Sequence, residues 1–130
     1  MIRLVAPIGT GSVSSALPGK GRPTREEVLA GVGEVARRLG ASRAYVFGSW
    51  ARGTQTARSD LDVLVVVESQ VPFLSRPDAY LIEFHRVTGV STIDALVYRQ
   101  EELDEMRGRP FIERILGESV LVFEAPAGSG

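Results

Sequence analysis

Residues 44–67 read AYVFGSWARGTQTARSDLDVLVVV. Within them, Leu61-Asp62-Val63-Leu64-Val65-Val66-Val67 is rich in β-branched and aliphatic side chains and predicts a strand. Strand side chains alternate between faces, and apart from Asp62 this run is apolar at both sets of positions, so it predicts a central strand covered on both sides. Upstream, Ala44-Tyr45-Val46-Phe47 predicts a shorter strand that runs straight into Gly48-Ser49. That pair predicts a turn opening a brief helix over Trp50 to Gly53, and the polar residues Thr54 to Ser59 form the loop back to the long strand.

Working outward, Thr24-Arg25-Glu26-Glu27 has the pattern of a capping box, in which hydroxyl and carboxylate satisfy free amides at a helix start. Val28, Val32, Val35 and Leu39 follow at helical spacing, and Gly40 supplies a stop. Asp78 to Val87 predicts a helix, with Pro77 near its start, Leu81 and Phe84 facing inward, and Thr88-Gly89 at its end. Ile93, Ala95 and Val97 alternate with Asp94, Leu96 and Tyr98 as a further strand. Helices are expected around Glu101 to Met106 and Pro110 to Leu116, and Val120 to Phe123 closes as an edge strand open to pairing with another subunit. Gly, Ser and Pro dominate from Gly9 to Pro23. The expected division is therefore a flexible lead-in over residues 1–23, a folded domain over 24–124 and a disordered tail over 125–130. Ile2, Leu4 and Val5 are nevertheless apolar enough to dock.

A length of 130 residues fits one domain with a real core. Lys and Arg number 15 against 16 Asp and Glu, so no overall basic field exists to hold nucleic acid by phosphate neutralisation, and nucleic-acid binding is not expected. The absence of cysteine excludes disulfides, iron-sulfur clusters and thiolate zinc sites. The start of the chain is too weakly apolar for a signal peptide, and no run approaches the roughly 20 apolar residues of a membrane span. The expected location is the cytoplasm.

Asp60 and Asp62 lie two apart at the start of the central strand, so both carboxylates point to one face. Two such charges about 5 Å apart repel by roughly 3 kcal/mol at an effective dielectric near 20, which a divalent cation between them would relieve. Oxygen-only ligands suit magnesium or manganese rather than zinc. Asp94, in the middle of another strand, meets the pair if the two strands are neighbours. Three converging aspartates have the form of a two-metal phosphoryl-transfer centre, with Asp94 placed to orient or deprotonate an acceptor hydroxyl. Gly48 lets phosphate oxygens approach the backbone, the Ser49 hydroxyl can donate to them, and Arg52 either contacts phosphate or braces the turn against an aspartate.

The set Gly48-Ser49, ten residues, Asp60-Leu61-Asp62, then Ile93-Asp94-Ala95 resembles the nucleotidyltransferase signature of the DNA polymerase beta superfamily. With Phe47-Gly48-Ser49-Trp50-Ala51-Arg52-Gly53 it is most similar to the minimal nucleotidyltransferases, often encoded beside a HEPN-domain toxin. The resemblance runs from about Thr24 to Phe123. It implies an α/β (α+β) fold, a mixed, largely antiparallel β-sheet with helices on one face. It also implies two magnesium or manganese ions on Asp60, Asp62 and Asp94, and a nucleoside triphosphate, taken to be ATP, on Gly48 and Ser49. Relatives of this kind act as antitoxins by placing adenylate on a tyrosine of the partner toxin. The Gly-rich lead-in departs from the usual short start.

Rival readings stay open at this point. The aspartates can instead end strands and cap turns; His85 reads as a partly buried or surface residue, and Trp50 as packing under the turn. An antitoxin can neutralise its toxin simply by masking it, and a small molecule can be the acceptor.

Overall fold

The computed structural model describes residues 2–5, 23–68 and 76–126. Ile2–Val5 forms a strand, β1, so the lead-in expected over residues 1–23 is corrected at its beginning: this apolar stretch adds itself to a sheet edge. Residues 6–22 lie outside the described residues, as do 127–130 of the expected tail. Ala125 is tied down by its amide, which donates to the Ser42 carbonyl at 2.9 Å.

The capping box forms as expected. Thr24 Oγ1 accepts from the Glu27 amide at 3.1 Å and Glu27 Oε1 from the Thr24 amide at 2.9 Å, opening α1, Arg25–Arg38. Val28, Val32, Val35 and Ala36 are buried along it, whereas Leu39, at the same helical spacing, is the cap residue and is exposed. Then follow β2 (Arg43–Phe47), α2 (Ser49–Arg52), β3 (Leu61–Val67), α3 (Pro77–Thr88), β4 (Thr92–Arg99), α4 (Gln100–Met106), α5 (Pro110–Glu118) and β5 (Val120–Glu124). α3 has proline in its first turn and ends at Gly89 in the left-handed region, φ 78°.

The five strands are ordered β1-β4-β3-β2-β5. β3 runs parallel to β4, while the β1-β4, β2-β3 and β2-β5 pairs are antiparallel, which is the expected mixed, largely antiparallel sheet. Parallel neighbours need a crossover, and α3 lies within it. β3 is central, and its two apolar sets go to different cores. Leu61, Val63, Val65 and Val67 pack with Val28, Val32, Leu81 and Phe84 under α1 and α3. Leu64 and Val66 face the other way, toward Leu103 of α4 and Ile112 and Ile115 of α5. The expectation of helices on one face is therefore corrected: α4 and α5 cover the second face, because an uncovered Leu64, Val66 and Leu96 would leave a large apolar patch in water.

Candidate active site

The site is set by strand register. The β2-β3 ladder places Phe47 opposite Asp62, and the β3-β4 ladder places Asp62 directly beside Asp94, neighbouring strands being about 4.8 Å apart. Alternation then points both carboxylates to the face that carries Leu64 and Leu96. Asp94 is 4% exposed, an environment in which a carboxylate is costly unless compensated by a cation or hydrogen bonds. Asp60 stands one residue ahead of β3 and is half-buried. Each of the three has polar interactions beyond these.

After Phe47 the chain turns at Gly48, whose φ of 75° is rare for L side chains. A Cβ built there would collide with Asp62 Oδ2, so two independent constraints demand glycine. The Gly48 carbonyl accepts from the Ala51 and Arg52 amides, both at 3.1 Å, and Gly53 in the left-handed region closes this single turn of helix. Arg25, in the first turn of α1, donates to the Trp50 and Ala51 carbonyls at 2.8 Å each. It places a cation at the carbonyl end of α2, where backbone dipoles favour one. Ser49 begins α2 on the outgoing side of the turn.

Arg52 pairs with none of the aspartates in the contacts that define the turn. Its Nη1 lies 3.4 Å from Glu118 Oε1, while the Gly48 amide donates to Glu118 Oε2 at 3.3 Å. Glu118, the last residue of α5, is a functional candidate that sequence reasoning missed. The signal was a register: Val46 pairs with Val120, and carrying that antiparallel ladder on by two residues sets Gly48 opposite Glu118.

Asp62 and Asp94 are thus brought together, and Gly48 is packed against Asp62. Among the described residues no ready-made group of three His, Asp or Glu side chains holds a metal; Asp60 stands one residue ahead of β3, two before Asp62. The facing pair itself, hard oxygen donors only, fits magnesium or manganese. Trp50 packs under the turn as expected, 6% exposed, and His85 Nδ1 lies 3.3 Å from the Val90 carbonyl in a structural contact. A cleft of about 580 Å³ is lined by Trp50, Gln55, Arg58, Ser59, Val90 and Thr92 among others; Trp50 and Val90 belong to the core under α1 and α3, and none of the three aspartates lines it.

Sequence and structural comparison define the family and the fold. The family model described as the nucleotidyltransferase domain matches residues 32–121, a span that includes Gly48, Asp60, Asp62, Asp94 and Glu118. The chain belongs to the nucleotidyltransferase domain family. A candidate minimal nucleotidyltransferase of known structure is 31% identical, with a TM-score of 0.52, covering 74% of this chain and 86% of that one. A crystal structure of a toxin-antitoxin with AMP-PNP shares the fold at 14% identity and a TM-score of 0.53, covering 78% of this chain and 73% of the other. No curated protein matches the chain. No helix among the described residues is long and apolar enough to cross a membrane.

Proposed function

We propose that the protein transfers a nucleoside monophosphate, AMP from ATP, to the hydroxyl of a tyrosine on a HEPN-type toxin and so acts as its antitoxin. The observation that carries the nucleotidyl-transfer reading is the register that sets Asp62 beside Asp94 with Gly48 packed against the Asp62 carboxylate. The toxin-antitoxin likeness supports the choice of biological setting and of an adenine nucleotide.

In this reading the Gly48 amide, the Ser49 hydroxyl and the Arg52 guanidinium hold the triphosphate. Asp62 and Asp94, with Asp60, are the residues that would hold divalent ions, whose contribution is to neutralise phosphate charge and acidify the acceptor hydroxyl. Asp94 orients the acceptor and takes its proton. The tyrosine oxygen forms a bond to the α-phosphorus as the bond from that phosphorus to the bridging oxygen of pyrophosphate breaks, and pyrophosphate leaves with the displaced electron pair. Burial of Asp94 keeps bulk water from taking over its proton exchange.

The test is calorimetric titration of ATP with and without magnesium, repeated for Asp62→Asn. Magnesium-dependent binding weakened about tenfold or more in the variant is expected; binding indifferent to both metal and Asp62 would refute the assignment. Incubation with ATP and a HEPN-type toxin should add one adenylate to a toxin tyrosine. Neutralisation that survives in Asp62→Asn would point to masking instead.

A further inference from the structure

We propose that Glu118 is a built-in competitor for the triphosphate, a carboxylate that occupies the phosphate donors of the Gly48 turn until nucleotide displaces it. The proposal rests on the nucleotide reading above. Its two oxygens engage different donors: Oε2 accepts from the Gly48 amide at 3.3 Å, and Oε1 lies 3.4 Å from Arg52 Nη1. A carboxylate accepts hydrogen bonds and carries negative charge, as a phosphate oxygen does, so it satisfies in the free protein the same two groups that a triphosphate would use.

The placement is built into the sheet. Glu118 ends α5, Ser119 follows as its cap, and β5 is held on β2 by pairs that include Val46 with Val120. The backbone carrying Glu118 is therefore fixed two residues from a ladder, while its side chain is 29% exposed. The clasp is also weak. Both contacts are long for hydrogen bonds, and the side chains of Arg52 and Glu118 are 52% and 29% exposed, the regime in which an ion pair contributes little. An incoming polyphosphate, with more charge and more acceptor oxygens, displaces it, and Glu118 must then rotate clear or repel the ligand. The same carboxylate can retake the donors as pyrophosphate departs. Glu118 is a positioning residue that sets nucleotide affinity rather than one that reacts.

The experiment is titration of ATP and of inorganic triphosphate, each with magnesium, into wild type, Glu118→Gln and Glu118→Ala, with thermal melts to verify folding. Glu118→Gln keeps the size and removes the charge, so it is the deciding variant. The expected result is a dissociation constant lowered about 3- to 10-fold in Glu118→Gln for both ligands. A purely structural brace would give the opposite, weaker binding. Unchanged or weaker affinity in Glu118→Gln, with wild type still binding, overturns the competitor and leaves the nucleotide reading standing. Failure of all three proteins to bind either ligand overturns both.

Discussion

Gly48 is the residue at which backbone conformation and site chemistry meet. Its φ of 75° excludes comfortable occupancy by an L side chain, and the missing Cβ is the space into which the Asp62 carboxylate fits. Gly48→Ala should therefore lose about 1–3 kcal/mol of stability through backbone strain and displace Asp62 at the same time. The expected outcome is a lowered urea midpoint together with lost magnesium-dependent ATP binding. A variant of wild-type stability and affinity would mean that the turn relaxes without cost. Arg25 belongs to this scale as well: two carbonyl contacts from α1 hold the short α2 in place, although its position in a capping-box sequence marks it only as a helix-start residue.

Between elements, the clearest staple joins the start of α3 to α4. The buried Arg76 guanidinium donates to both Glu102 oxygens, at 2.6 and 3.1 Å, and Glu102 also accepts the Arg99 amide at 2.8 Å. Arg76 foremost, aided by that backbone bond, holds the Glu102 carboxyl down to about 2 from an ordinary 4.5. A depressed carboxylate contributes its stability above the unfolded-state value and loses it as pH falls toward the folded one. Wild type should accordingly exceed Glu102→Gln by about 1–2 kcal/mol at pH 7. The gap should narrow between pH 4.5 and about 2, as read from urea melts across that range. A gap independent of pH there would remove the charge from the account. α1 and β5 show another kind of contact: a Cβ on Gly33 would come within 2.6 Å of the Val122 carbonyl oxygen, so these two backbones approach as closely as glycine permits.

The whole molecule is one sheet shared by two cores, with Phe84 and Val63 on one side and Leu64 and Ile115 on the other. Since β3 contributes to both, the two cores are expected to unfold together. Leu64→Ala, on the α5 side, should cost about 2–5 kcal/mol. It should also shift the unfolding of Trp50, the single tryptophan, which reports from the opposite core, as much as it shifts far-UV circular dichroism. Separate transitions for the two probes would show that the faces unfold independently. The same shared sheet places the aspartate pair, the Gly48 turn and Glu118 together at one end, so the site inherits its rigidity from both cores.

Local features were legible from the chain alone. The capping box at Thr24, the strand that ends at Phe47, the doubly apolar β3 and the Asp60, Asp62 and Asp94 positions each depend on side chains a few residues apart, where periodicity and turn chemistry act directly. The family could be read from their joint spacing. Which residues meet depended on pairing across long separations. The chain does not state that β3 lies beside β4 with Asp62 level with Asp94, that β1 joins the edge of β4, that α4 and α5 cover the second face, or that Glu118 rests on Gly48. Those contacts follow from register and from the burial of both faces of a central strand, free energies that exist only once the whole sheet has formed.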